Sequence, residues 1–128
     1  MSIVNKYILI CKNKIIINTC FLSKIVVTFY YKIKKKEKDM EIELKENERI
    51  DDLEFKNLKI IQNTKGFCFG IDAVLLSDFA KNIKRNSKVL DLGTGTGIIS
   101  ILLCGKTYLE KIVGVEVQKE VADMAERS

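Results

Sequence analysis

The spacing of apolar and polar residues along the chain predicts strands in some segments and helices in others. From residue 40 onward, the segments EIELKENERIDDLEF and LKIIQ contain short alternating apolar runs. They predict one or two strands with a turn near Lys56 and Asn57. Asp72 stands just ahead of an apolar run that begins at Ala73. We therefore expect Asp72 to be the N-cap of an amphipathic helix that ends near residues 82–86.

The segment after residue 87 has continuous apolar runs. It predicts a buried strand over Lys88–Leu92 and a tightly buried helix over Ile98–Cys104. A second buried strand follows over Ile112–Val117, and a second helix starts over Gln118–Ser128. The last helix places Val121, Met124 and Ala125 on one face. This order is the pattern of a parallel sheet covered on both faces, so the predicted class is α/β.

Residues 1–39 differ from the rest in composition and charge. They hold nine lysines against Glu37 and Asp39, whereas residues 40–128 hold thirteen Lys and Arg against fifteen Asp and Glu. The net charge of +5 therefore belongs entirely to the first segment. Its longest uncharged run, Ile15–Ser23, is nine residues, short of the ~20 that a bilayer-spanning helix needs. We predict no membrane span and no secretory signal.

Three interpretations of residues 1–39 stay open. Ile15–Ile17 and Ile25–Tyr31 could form a short β-hairpin. The lysines at positions 34, 35, 36 and 38 could form an RNA-binding or membrane-surface patch, or only a solvated charge run. The segment could also be foreign to the domain, because Ile, Lys, Asn and Tyr dominate translated AT-rich DNA and Met40 precedes the change in composition. We favour the third: a non-native or disordered basic extension over 1–39, followed by a domain over 40–128.

Composition excludes several kinds of site. The chain contains no His, Pro or Trp, which rules out a His general base, a Ser-His-Asp triad and any zinc site with a His ligand. The four cysteines, at positions 11, 20, 68 and 104, form no CxxC pair. We interpret them as reduced thiols of a cytoplasmic protein, and we expect no metal site.

The candidate chemistry lies in VLDLGTGTGIIS, residues 89–100, between a predicted strand and a predicted helix. Glycines at this place in a βαβ unit allow a tight turn and let the backbone approach a ligand. Gly93, Gly95 and Gly97 have the spacing GxGxG. The dinucleotide fingerprint GxGxxG fails, since position 98 is Ile. The same glycines would suit a turn without a ligand, so the loop alone is weak evidence.

Two carboxylates strengthen the evidence for a ligand. Asp91 lies at the end of the first apolar strand, where a buried acidic side chain is costly unless it has partners. Glu116 lies near the end of the next strand, 25 positions later, where a carboxylate can accept hydrogen bonds from both hydroxyls of a ribose. These residues together predict an adenosine-type pocket at the carboxyl edge of the sheet.

With these residues the chain resembles the class I S-adenosylmethionine-dependent methyltransferases. Their first motif is acidic-x-Gly-x-Gly-x-Gly, and an acidic residue ends the next strand. The resemblance implies a Rossmann-like parallel sheet and S-adenosylmethionine as cofactor. It also implies that Glu116 binds the ribose hydroxyls and that the methionine side of the cofactor meets Asp91, Gly93, Thr94, Gly95 and Gly97.

A second block is similar to the bacterial tRNA1(Val) adenine-37 N6-methyltransferases. There, a Gly-aromatic-x-Phe segment leads into an Asp-Ala-Val-Leu-Leu helix ahead of the glycine loop. Gly66, Phe67, Phe69 and residues 72–76 match it. The resemblance covers about residues 48–128 and implies that this segment packs beside the methionine end of the cofactor. It also implies tRNA as the methyl acceptor.

Members of that family hold the target adenine with an Asn-Pro-Pro-aromatic segment after a later strand. The chain has no proline, so we expect the amino-terminal portion of a methyltransferase, with an incomplete sheet, no catalytic residues and no activity of its own. Two buried parallel strands need neighbours on both sides. We therefore also expect open sheet edges and a marginal, aggregation-prone polypeptide.

Two other functions stay open. The full enzyme could methylate a small molecule or a protein, because substrate choice resides mostly in the part that this chain lacks. The chain could also be a non-enzymatic remnant that at most binds cofactor or a partner weakly. The glycine spacing disfavours a nicotinamide-dependent oxidoreductase.

Overall fold

The computed structural model describes residues 42–128 with their side chains and, ahead of them, the backbone of three strands. We number these β1–β3: Lys6–Cys11, Lys14–Thr19 and Val27–Tyr31. The later strands β4–β7 are Glu48–Asp52, Lys59–Asn63, Lys88–Leu92 and Lys111–Glu116. The helices α1–α3 are Ile71–Phe79, Ile98–Lys106 and Lys119–Arg127. The predicted α/β class is confirmed.

Strands β4 and β5 form an antiparallel hairpin that makes up a separate two-stranded sheet. Lys56 and Asn57 lie in its turn with φ of 52° and 57°. Asn populates the left-handed region more readily than most residues do. The predicted strands and turn are therefore confirmed. In β5, Ile60 and Ile61 are both buried, so this strand is covered on its two faces.

The larger sheet has five strands in the order β1-β2-β6-β7-β3. The predicted parallel pairing of β6 with β7 is confirmed. The sheet as a whole is mixed, however, because β3 is antiparallel to β7 and β1 is antiparallel to β2. The expectation that β6 and β7 have open outer edges is wrong, since β2 pairs with β6 and β3 pairs with β7. Backbone N–H and C=O groups at a strand edge accept any extended segment that reaches them.

Residues 1–39 contribute these outer strands, but not through the hairpin considered above. β2 includes Ile15–Ile17 and pairs with β1, while β3 pairs with β7 instead. The lysine cluster at positions 34–38, Met40 and Cys20 lie outside the described residues. That residues 1–39 are foreign to the domain stays a prediction.

Helix α1 differs from its prediction at both ends. Its N-cap is Gly70, which has extended backbone, and Asp72 lies in the first turn. The helix starts earlier because the Ala73 N–H already bonds to the Gly70 carbonyl at 3.2 Å. Asp72 is therefore not the N-cap, although its charge still suits the positive end of the helix. The helix ends at Phe79, and after the buried C-cap Ala80 the chain enters a turn in which the Lys81 N–H bonds to the Asp78 carbonyl, three residues back, at 3.3 Å.

Helices α2 and α3 follow their predictions closely. In α2 the six residues from Ile98 to Leu103 are all buried, and the helix continues to Lys106. In α3 Met124 and Ala125 are buried and Val121 is half-buried. Residues of α2 pack in one core with residues of β5, β6 and β7, among them Ile60, Val89, Leu103 and Ile112. Burying each large aliphatic side chain contributes about 1.5–3 kcal/mol.

One apolar surface remains exposed on α1 and the segment before it. Phe67, Ile71, Leu75 and Phe79 are spaced four residues apart and are 93%, 77%, 62% and 72% exposed. We call these four residues the α1 stripe. Ile71, Leu75 and Phe79 share one face of α1 because residues four apart lie on the same side of a helix, and an exposed apolar face of this kind usually marks a contact with another element or molecule.

Candidate cofactor site at the glycine loop

The glycine loop, residues 93–97, joins β6 to α2 with three left-handed residues. Gly93, Gly95 and Gly97 have φ of 72°, 61° and 88°, a conformation that is costly for residues with a Cβ atom. The N–H groups of Gly93 and Thr94 donate to the Val115 carbonyl at 2.7 and 3.0 Å. The loop is thus bound to the carboxyl end of β7. A Cβ atom placed on Gly95 would meet no atom of residues 42–128 within 4 Å, so these residues leave the space beside the middle of the loop open.

Asp91 is a buried carboxylate that holds the loop in shape. It is only 1% exposed, and its Oδ2 accepts hydrogen bonds from the hydroxyls of Thr94 and Ser100, both at 2.7 Å. These bonds join the end of β6 to the loop and to the first turn of α2. The cost of burying the charge is thereby offset.

Thr94 is also turned toward the protein. Its side chain donates to Asp91, its N–H donates to Val115, and its carbonyl accepts the Gly97 N–H at 3.0 Å. Asp91 and Thr94 therefore shape the wall of the site. That they contact a cofactor directly stays a prediction, as it does for Gly93, Gly95 and Gly97.

Glu116 lies beside the glycine loop, as its position in the sequence predicts. Its Oε2 accepts the Gly95 N–H at 3.0 Å, and its Oε1 accepts the N–H groups of Val117 and Gln118 at 2.8 and 2.9 Å. Each carboxylate oxygen has two lone pairs. Oε2 can therefore accept one further hydrogen bond, such as one from a ribose hydroxyl, without releasing Gly95.

Two polar residues of the site escaped the sequence analysis. Ser100 donates to Asp91 from the apolar run of α2. Gln62, in β5, is fully buried; its Nε2 donates to Thr96 Oγ1 at 2.8 Å, and its Oε1 accepts the Phe69 N–H at 3.2 Å. Both residues could have been found in the sequence because each is a polar residue inside an otherwise apolar run. Burying such a residue is costly unless it has hydrogen-bond partners.

The upstream segment that includes Gly66, Phe67 and Phe69 lies close to the glycine loop through Gln62. Phe69 packs against the core, whereas Phe67 is almost fully exposed. The upstream segment and the glycine loop are thus joined in space by one side chain. The sequence spacing alone did not reveal the link.

An ion-pair cluster anchors the helix that follows Glu116. Arg127 of α3 donates to both carboxylate oxygens of Glu48, at 2.6 and 3.0 Å, and to Asp123 at 2.9 Å. The Arg127 hydrogen bonds hold the pKa of Glu48 below its ordinary value. Bonds from Lys45 and then Arg127 lower the pKa of Asp123. The cluster ties α3 to the β4–β5 hairpin.

The described residues offer little for other chemistry. In residues 42–128 no three His, Cys, Asp or Glu side chains are grouped so that they could hold a metal ion. No helix in that part of the chain is long and apolar enough to cross a membrane. Cys68 and Cys104 are free thiols, and burial raises the pKa of Cys104 to about 11.

No protein family model matches the chain, but curated proteins do. A protein from Flavobacterium johnsoniae named tRNA1(Val) (adenine(37)-N6)-methyltransferase is 32% identical over 72 residues, 56% of this chain and 31% of the relative. Proteins of the same name from Christiangramia forsetii and Tolumonas auensis are each 31% identical, over 56% and 58% of this chain and 30% and 31% of their own lengths.

The chain is a partial match to the tRNA1(Val) (adenine(37)-N6)-methyltransferase family. The resemblance inferred from the glycine loop and the upstream segment is confirmed. The chain spans less than a third of the length of these relatives. The match therefore covers only part of each relative.

Proposed function

We propose that the glycine loop and Glu116 form one wall of an S-adenosylmethionine site. The observation that carries the proposal is the Glu116–Gly95 hydrogen bond, because it sets a carboxylate acceptor next to an open glycine backbone. A bound ribose needs a carboxylate that accepts hydrogen bonds from its hydroxyls. A bound nucleoside also needs a stretch of protein backbone that it can approach closely, which glycines allow.

The residues present fit this cofactor by their chemistry. S-adenosylmethionine carries ribose hydroxyls, an amino group and a carboxylate, and no pyrophosphate. Glu116 Oε2 retains an acceptor position for a hydroxyl. The first turn of α2 begins at Ile98, directly after the loop, and helix N-termini favour anions such as the cofactor carboxylate.

When bound, the cofactor supplies a sulfonium methyl group for transfer. The contribution of this chain is to bind and orient it. Glu116 accepts hydrogen bonds from the ribose hydroxyls, and the glycines allow the backbone to approach the cofactor closely. Asp91 keeps the loop in shape through its bonds to Thr94 and Ser100. No residue of this chain is assigned to activating the methyl acceptor.

We further propose that the chain represents the amino-terminal portion of a Rossmann-like methyltransferase domain acting on adenine N6 in tRNA. The match to relatives named tRNA1(Val) (adenine(37)-N6)-methyltransferase supports tRNA adenine as the methyl acceptor. The exposed α1 stripe supports an incomplete domain, because a complete one would bury most of such a surface. In this proposal residues 40–128 belong to a cytoplasmic enzyme, residues 1–39 are an extension, and the chain alone is inactive.

Calorimetric titration of the purified chain tests the cofactor assignment. S-adenosylmethionine and S-adenosylhomocysteine should bind, and NAD should not, because the GxGxG loop lacks the dinucleotide spacing. Equal binding of NAD, or no difference between the parent and Glu116→Ala, would overturn the assignment. A methyl-transfer assay on tRNA should show no turnover, and turnover would refute the inactivity of the chain.

A further inference from the structure

Gln62 is a fully buried amide whose two ends are both hydrogen-bonded. It lies in β5 next to Ile61, where its Nε2 also donates to the Ile61 carbonyl at 3.3 Å. The longer-range partners are Thr96, 34 residues later, and the Phe69 N–H. The side chain therefore contacts three segments that are separate in the sequence.

The two partners outside β5 belong to different segments, the glycine loop and the upstream segment. Thr96 stands between Gly95 and Gly97, the left-handed residues of the glycine loop. Phe69 immediately precedes Gly70, the N-cap of α1, and belongs to the upstream segment. One amide thus sets the separation between the upstream segment and the glycine loop.

Space filling does not account for this residue. The neighbouring buried positions of β5 are Ile60 and Ile61, and an apolar side chain at position 62 would avoid the cost of burying an amide. An amide is suited here because it combines an acceptor for the Phe69 N–H with a donor for Thr96 Oγ1. A leucine would leave the partly buried Phe69 N–H without this partner.

We propose that Gln62 is a positioning residue that couples the upstream segment to the glycine loop and so shapes the methionine end of the cofactor site. It acts through Phe69 and Thr96 and does not itself touch the cofactor. The cofactor part of this inference rests on the proposed function, whereas the coupling between the two segments does not.

Amide hydrogen exchange of the whole chain tests the coupling without a ligand. Gln62→Leu should speed exchange at Phe69, Gly95 and Gly97 by about tenfold or more relative to the Ala122 amide of α3, because the hydrogen bond to each of the two segments is lost. The matched control is Ile61→Val, a buried change in the same strand that keeps the amide. Unchanged exchange at the two glycines in folded Gln62→Leu would overturn the proposal.

A second variant serves if Gln62→Leu does not fold. Thr96→Val removes only the hydroxyl at the far end of the bridge and leaves Gln62 and Phe69 in place. If the bridge couples the segments, the Phe69 amide should exchange faster in Thr96→Val. Exchange at the parent rate would show that the two walls are independent.

Ligand selectivity tests the consequence for the site. Gln62→Leu should weaken S-adenosylmethionine about tenfold and change the affinity for 5′-methylthioadenosine, which lacks the amino-acid end, by less than about twofold. An equal loss for both ligands would indicate a general structural defect and overturn the positioning role. If the parent binds neither ligand, the proposed function fails, and the exchange experiment still decides the coupling.

Discussion

Oε2 of Glu116 accepts the backbone N–H of Gly95 at 3.0 Å, so the end of β7 is hydrogen-bonded to the middle of the glycine loop, 21 residues earlier. This bond holds the carboxylate beside the loop. Its other oxygen is occupied by two backbone N–H groups of the turn into α3. Five parts of the site, β6, the loop, α2, β7 and the start of α3, are therefore connected through this side chain and Asp91.

Replacing Glu116 with Ala should weaken S-adenosylmethionine binding by about 1–3 kcal/mol, because a charge-assisted acceptor for the ribose is lost. Calorimetry on the parent and the variant measures the difference. Glu110→Ala is the control, since Glu110 lies just before β7 and its side chain is 53% exposed. Parent-like affinity in Glu116→Ala would contradict the role of this carboxylate.

Replacing Gly95 with Asp should abolish cofactor binding. The new side chain would occupy the open space beside the loop and would stand close to the Glu116 carboxylate, where a second negative charge is repelled. The left-handed backbone at this position adds a cost of about 1–2 kcal/mol to stability. Binding and thermal melting separate the two effects.

Gly105→Ala gives a contrast to the Gly95 variant. A Cβ atom at Gly105 would come within 2.8 Å of the Leu58 and Phe55 side chains, which must then shift. This variant should lower the melting temperature and leave cofactor affinity unchanged in the folded chain. A loss of affinity similar to that of Gly95→Asp would show that binding merely follows stability.

The Glu48–Arg127 pair should make stability depend on pH in the acid range. The Arg127 hydrogen bonds lower the pKa of Glu48 in the folded chain below the unfolded value of about 4.3. Its stabilisation is present above that pH and is lost as the pH falls through the folded-state pKa. The urea midpoint should therefore drop on acidification, and less steeply in Glu48→Gln. Glu110→Gln, in an exposed pair with Lys88, should retain the slope of the parent.

Cys104 should resist alkylation in the folded chain. Burial raises the pKa of its thiol to about 11, and only the thiolate reacts readily. Iodoacetamide at pH 8 should modify the Cys104 peptide slowly, and much faster in urea, as mass spectrometry would show. Because the folded pKa is raised, this thiol favours folding below about pH 8.5, and that contribution is lost as the pH rises toward 11. Fast modification of the folded chain at pH 8 would contradict the assignment.

The α1 stripe should cause self-association of the isolated chain. Its four large apolar side chains are exposed, and burying them between copies removes apolar surface from water. Leu75→Lys should raise the monomer fraction in sedimentation experiments without lowering the melting temperature. Lys119→Ala, at an exposed position on α3, serves as the surface control. A parent chain that stays monomeric at high concentration would show that the α1 stripe does not mediate self-association.

The sequence was sufficient for the elements that depend on local pattern. The strands β6 and β7 and the buried helix α2 were predicted to within a few residues, because continuous apolar runs and left-handed glycines are local signals. Helix α1 was less predictable at its ends. Gly70 is the N-cap because its carbonyl accepts a hydrogen bond from the Ala73 N–H. That bond depends on the backbone conformation of the segment before the helix, which the local sequence does not specify.

Long-range hydrogen bonds could not be predicted in this way. Gln62 and Thr96 are 34 residues apart, and Glu48 and Arg127 are 79 apart. Nothing in the residue spacing says which buried polar groups face each other, since that depends on the path of the whole chain. The pairing of β6 and β7 with strands from the first 39 residues is of the same kind.

The sequence by itself determined the glycine loop, its two carboxylates and the resemblance to adenine N6-methyltransferases, because each depends on residue types at short, fixed spacings. Only the tertiary structure decided what those residues contact. It buried Asp91 as the support of the loop, set Glu116 beside Gly95 and joined the upstream segment to the loop through Gln62. The reason is physical: a buried polar group needs a partner, and only the folded chain determines which partner lies within reach.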